Sequence, residues 1–137
     1  MPNKKILIVE DDRDVQQGMQ LRLKANQYDT CLAGDAFSGV AEARRSEPDL
    51  ILLDLGLPAG GGFLVMERLK MFPSLALIPV IVVSARYGVA NRKRALESGA
   101  KAFLQKPVDD DQLLDVIRQA LGESAGKKLA LCDQAVV

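Results

Sequence analysis

The acidic run Glu10-Asp11-Asp12, the isolated Asp54, the hydroxyl of Ser84 and the ammonium of Lys106 are the groups of this chain whose types could do chemistry together. Taken singly, each has an ordinary explanation. Asp11-Asp12 is what a helix N-cap looks like, Ser84 could cap a strand end, and Lys106 could be a surface lysine. Their shared position changes that reading, because each lies just past a short apolar run. Two carboxylates about 4 Å apart repel by roughly 4 kcal/mol at an effective dielectric of about 20. A fold that collects several needs a cation to offset this, and a donor set made only of oxygens suits Mg²⁺. The chain has no histidine, so any step requiring an imidazole must take it from another molecule.

The runs that would position these groups are Ile6–Val9, Tyr28–Ala33, Leu50–Leu53, Val80–Val83 and Ala102–Leu104. Four are continuously apolar, as in strands buried on both faces of a parallel sheet. The second mixes in Asp29 and Thr30, as an edge strand would. Helical patterns fill the gaps. The first runs from about Asp14 to Asn26, with Val15, Met19 and Leu23 on one stripe. The second runs from Ala36 to Ser46, and the third from Gly62 to just before Pro73. The fourth, Val89 to Ser98, has a weak apolar stripe and the basic run Arg92-Lys93-Arg94. The last repeats Leu113, Val116, Ile117, Ala120 and Leu121 at helical spacing behind Asp109-Asp110-Asp111, whose charge suits a helix N-terminus. Strand–helix alternation of this kind predicts an α/β fold, a doubly wound five-stranded parallel sheet of order 2-1-3-4-5, flavodoxin-like. Ligands of such sheets bind outside the carboxyl ends of the strands, at the switch point, and those ends are where the candidate groups stand.

With 48% apolar and 26% charged residues in 137, the chain has material for one domain with one core. Residues 1–122 form that domain in this reading, and 123–137 a tail or the start of a linker. Lysine plus arginine equals aspartate plus glutamate, so charge demands no nucleic acid partner, and none is expected to bind this domain directly. No apolar run approaches the ~20 residues of a membrane span. Cys31 and Cys132 have no metal-type spacing and read as reduced thiols. Together these features predict a cytoplasmic protein.

The order Glu10-Asp11-Asp12, Asp54-Leu55-Gly56-Leu57-Pro58, Gly62, Ser84-Ala85, Ala95 to Ala100 and Lys106-Pro107 resembles the receiver domain of two-component response regulators, over about Lys4 to Gly122. The resemblance implies that Asp54 accepts a phosphoryl group. It implies that Asp12, Asp54 and the Gly56 carbonyl ligate Mg²⁺ directly, with Asp11 acting through water. Ser84 and Lys106 would complete the catalytic set by contacting the phosphoryl group. Ser84 and Phe103 would be the switch residues, Phe103 turning from exposed to buried. Gly56 and Arg86 would set the lifetime of the phosphorylated state, and the Lys106–Pro107 bond would be cis. The partners implied are a sensor histidine kinase or histidine phosphotransfer protein as donor, and a downstream effector domain or protein.

Two other readings share parts of this pattern. A haloacid-dehalogenase-type phosphatase also uses a strand-end aspartate and Mg²⁺, but it needs a second aspartate two residues later, where this chain has Gly56. A non-phosphorylated interaction module would have no use for Asp54, Ser84 and Lys106. A phosphate loop of the G-x-x-x-x-G-K-[ST] type is absent.

Overall fold

Burial on both faces accounts for the strands. In the computed structural model, which describes residues 3–85 and 88–123, the apolar runs become β1 (Lys5–Val9), β2 (Asp29–Ala33), β3 (Leu50–Leu53), β4 (Val80–Ser84) and β5 (Ala102–Gln105). All pairs are parallel, and the order is β2-β1-β3-β4-β5. β1 thus lies between β2 and β3, which places the switch point beside its carboxyl end. β2 is an edge strand, as its mixed composition predicts.

Helices α1 (Arg13–Ala25), α2 (Ala36–Ser46), α3 (Gly61–Leu69), α4 (Pro73–Ala76), α5 (Val89–Glu97) and α6 (Asp110–Ala120) cover the sheet. Met19 and Leu23 of α1 join Leu113, Leu114 and Ile117 of α6 over one face. Ala36 and Ala43 of α2, Val65, Met66 and Leu69 of α3, Leu75 of α4 and Ala95 of α5 fill the other. The third helix departs from the sequence expectation. It stops at Leu69, and Pro73 opens the separate single turn α4, because proline suits the first helical position and lacks the N–H that an interior position needs. The fourth predicted helix is α5, and only Ala95 of it is buried. The acidic run before α6 divides its work: Asp109 caps the helix through the Gln112 N–H at 3.2 Å, while Asp110 and Asp111 occupy the first turn.

Gly18 sits inside α1, where a Cβ would meet nothing closer than the Arg22 side chain at 3.8 Å. Glycine in a helix interior is less stable than alanine by about 1 kcal/mol. Gly18→Ala is therefore expected to raise stability by about that amount, read as a higher urea midpoint with an unchanged slope. A lower midpoint would show a collision that the geometry does not contain.

Glu123, the residue after the expected boundary at 122, is hydrogen-bonded to the domain. The Glu123 N–H donates to the Arg118 carbonyl, and the Glu123 carboxylate accepts from the Tyr28 hydroxyl at 2.8 Å. Residues 124–137, with Cys132, lie outside the described residues. Burial, and then the bond to Glu123, push the Tyr28 phenol from 10.0 up to about 12. A folded-state value above the unfolded one means that the contribution is complete below pH 10.0 and is lost as pH rises toward about 12. Tyr28→Phe should remove that fall in stability. Ultraviolet titration should likewise show the late-ionising phenol vanish in the variant, and two phenols ionising together near pH 10 in the wild type would contradict this.

Candidate functional site

The sheet ladder continues one residue beyond the apolar runs, and this aligns the site. The Glu10 N–H bonds the Ala33 carbonyl at 3.0 Å, the Asp54 N–H bonds the Val9 carbonyl at 3.1 Å, and the Lys106 N–H bonds the Ser84 carbonyl at 2.9 Å. Glu10, Asp54, Ser84 and Lys106 are thereby held along the carboxyl edge of β1, β3, β4 and β5. Neighbouring strands stand about 4.8 Å apart, so adjacent side chains on this edge can meet.

They do meet. The Lys106 ammonium forms an ion pair with the Glu10 carboxylate and lies 3.9 Å from an Asp54 oxygen. The Asp54 side chain is 11% exposed, so it is mostly but not wholly shielded from solvent. Ligand oxygens of Glu10, Asp11 and Asp54 all come within 4.8 Å of one another. Glu10 is buried, its second oxygen accepts the Asp12 N–H at 3.1 Å, and Asp11 is exposed. Burial raises the Glu10 pKa above the ordinary carboxyl value, and Asp54 adds to the rise. The Lys106 and Asp12 hydrogen bonds offset only part of it.

Asp12 is not part of this cluster. Its Oδ1 accepts the Asp14 and Val15 N–H groups at 2.9 and 3.1 Å as the N-cap of α1. The carboxylate cluster thus holds Glu10, which the expected ligand set of Asp11, Asp12, Asp54 and Gly56 had left out, and Asp12 stands beside it as a helix cap. Gln16 is a further contributor missed in sequence. Its side-chain amide donates to the Glu10 and Ala33 carbonyls at 3.2 and 3.3 Å, tying the acidic turn to β2. A single glutamine in a helix carries no signal that would have singled it out.

Ser84 is fully buried at the end of β4. Gly56 is half-buried two residues after Asp54. The Lys106–Pro107 peptide is cis. Phe103 is already buried, at 7% exposure, so the expected start from an exposed ring is not the conformation seen. Arg86 lies outside the described residues. Gly62 lets α3 rest on the end of β3: its N–H donates to the Leu55 carbonyl at 3.0 Å, and a Cβ there would fall 2.5 Å from the Asp54 carbonyl oxygen.

A doubly wound sheet with carboxylates and a lysine gathered at its switch point is the arrangement expected of a receiver domain. The chain belongs to the response regulator receiver domain family, whose model matches residues 6–118. Among curated proteins it is 39% identical over 114 residues to the response regulator PleD of Caulobacter vibrioides, covering 83% of this chain and 25% of PleD. It is 36% identical over 117 residues to the DNA-binding dual master transcriptional regulator RpaA of Synechocystis, covering 85% of this chain and 48% of RpaA. The chain therefore spans between a quarter and about half of these relatives. Among solved structures it resembles the CheY-like receiver domain protein of Methanospirillum hungatei, with TM-score 0.82, 28% identity and coverage of 92% and 98%. It also resembles the receiver domain of sensor histidine kinase PA1611 of Pseudomonas aeruginosa, determined with a magnesium ion coordinated in the active site cleft. That match has TM-score 0.81, 26% identity and coverage of 88% and 99%. Among the described residues, no helix is long and apolar enough to cross a membrane.

Proposed function

We propose that Asp54 is the residue phosphorylated, by a phosphohistidine of a partner kinase or phosphotransfer protein. The observation that carries this is the convergence of Glu10, Asp11, Asp54 and Lys106 on one partly open edge, in a chain without histidine. An Asp54 oxygen would attack phosphorus from the solvent-facing side while the bond from phosphorus to the donor imidazole breaks. Catalysis of such a transfer is mainly positioning and stabilisation of the charge on the equatorial oxygens. Lys106, 3.9 Å from an Asp54 oxygen, would supply the compensating positive charge, and the Ser84 hydroxyl at the end of β4 would donate a hydrogen bond to the phosphoryl group.

The donor set fits a divalent cation of the Mg²⁺ type, since every side chain in it offers a carboxylate oxygen. Glu10, Asp11 and Asp54 would hold it, with the Gly56 carbonyl completing the protein ligands. When bound, the cation would neutralise charge on the carboxylates and on the incoming phosphoryl group. Phosphorylation would then be read by an effector domain or protein in the cytoplasm.

Intact-mass analysis after incubation with acetyl phosphate tests the reading. The wild type is expected to gain one phosphoryl group when Mg²⁺ is present and none in EDTA, and Asp54→Asn to gain none in either. Equal incorporation by wild type and variant would overturn it.

A further inference from the structure

Between α2 and α3 lies a groove of about 620 Å³. Its walls include Phe37, Val40, Phe72 and Met71, with Arg44 and Arg68 at its margin. Phe37 is 78% exposed and Met71 69% exposed. Scattered apolar side chains on a surface are ordinary. Here, however, two large ones flank the same concavity, and such patches mark interaction sites. The interior does not need Phe37, because α2 already buries Ala36, Gly39 and Ala43 on its inward stripe.

The charge of the groove indicates the occupant. The Arg44 guanidinium lies 4.4 Å from the Phe72 ring centroid, so it is stacked on the wall with its N–H edges free to bond a carboxylate. Neither Arg44 nor Arg68 pairs with a carboxylate among the described residues. The acid one turn away on α2, Glu42, is engaged by Arg45 and Ser46. Glu67 of α3 lines the separate cleft toward α5. The groove is thus apolar within and positive at its margin, and nothing in the described chain neutralises it. Its concavity suits a rod-like segment better than the flat surface of a bilayer.

We propose that the α2–α3 groove docks an acidic amphipathic helix of a partner protein, with apolar side chains at i, i+3, i+4 and i+7 seated between Phe37 and Met71 and flanking carboxylates paired to Arg44 and Arg68. The groove also has a route to the phosphoacceptor. The Ala36 N–H, at the start of α2, donates to the Pro58 carbonyl at 3.1 Å, and Pro58 lies in the loop that leaves Asp54.

The test uses the whole chain and two short helical peptides with the same apolar positions, one flanked by glutamates and the other by lysines. Amide chemical-shift titration is expected to show the glutamate peptide moving the signals of Phe37, Val40, Arg44 and Met71. Binding should weaken at least about tenfold in the Phe37→Ser, Met71→Ser double variant. It should weaken likewise in Arg44→Glu, Arg68→Glu, which should instead accept the lysine peptide. All four side chains are at the surface, so the variants should keep the wild-type spectrum elsewhere. Asp54→Asn leaves the groove intact and should bind as wild type, which separates failure of this docking from failure of the phosphoacceptor reading. The proposal is overturned if the glutamate peptide leaves these signals unmoved, if both peptides bind equally, or if the shifts map elsewhere. Concentration-dependent shifts of the same amides without peptide would assign the groove to a second copy, and tighter binding to phosphatidylglycerol vesicles than to peptide would assign it to a membrane. Either result would also overturn it.

Discussion

Gly62→Ala is expected to cost about 3 kcal/mol, at the upper end of what overpacking a filled interior costs. The methyl group would sit 2.5 Å from the Asp54 carbonyl oxygen and 2.9 Å from the Leu55 Cα. Both are backbone atoms of the strand end, so no rotamer change can relieve the contact. Either α3 moves outward, losing the Gly62–Leu55 hydrogen bond and loosening Val65, Met66 and Leu69 in the core, or Asp54 is displaced. For a domain of this size the cost corresponds to a fall in melting temperature of roughly 10 °C. Gly34→Ala is the control, since a Cβ there would meet nothing within 4 Å and its effect should be small. With Asp54 as the proposed acceptor, phosphoryl uptake by the folded fraction of Gly62→Ala should also be slower, because the carbonyl of Asp54 is the atom struck. Calorimetry showing equal melting temperatures for the two variants would refute the argument.

Lys106→Ala should be as damaging in EDTA, for an electrostatic reason. Removing one partner of a buried pair leaves the other charge uncompensated, at a cost of about 3 kcal/mol or more. Glu10 is 3% exposed, and Lys106 is its ion-pair partner. Burial already raises the Glu10 pKa above 4.5, and loss of Lys106 should raise it further. For an acid whose folded value exceeds the unfolded one, the folded state is penalised as pH rises, because the unfolded chain gives up its proton first. The deficit of the variant against wild type should therefore be small below about pH 4 and widen toward neutrality. Urea melts across that range would show it. Adding Glu10→Gln to Lys106→Ala should recover much of the loss at pH 7, and a deficit independent of pH would dispose of the explanation.

Much of this site was legible because buried parallel strands leave continuous apolar runs, and chemistry in such sheets stands where the runs stop. Asp54, Ser84 and Lys106 were found that way, and β2 betrayed its edge position through Asp29 and Thr30. What the pattern could not resolve was where β1 ends within three consecutive acids. The Glu10–Ala33 hydrogen bond keeps Glu10 inside the ladder, so the next turn of chain makes Asp12 the cap of α1. Composition cannot distinguish those roles, because aspartate serves both as cap and as ligand. The third helix was overextended for a similar reason. Met71 and Phe72 continue an apolar sequence, but the chain has already left the helix, and Met71 is exposed. The groove beside them was invisible in sequence, since the face that α2 leaves uncovered depends on how it packs against α3.

The layering of α1 and α6 over the same face has a consequence for how the chain is made. Synthesis delivers β1 first, yet the side chains that help cover Ile6 and Ile8 include Leu113 and Ile117, more than a hundred residues later. A chain still emerging from the ribosome can assemble β1 with β2 and β3, but the part of that face not covered by α1 remains wet until α6 arrives. Non-local closure of this kind slows folding and lengthens the exposure of apolar strands. Helix α6 thus acts as the latch of biosynthesis: until it closes, the nascent domain has the greatest need of a chaperone.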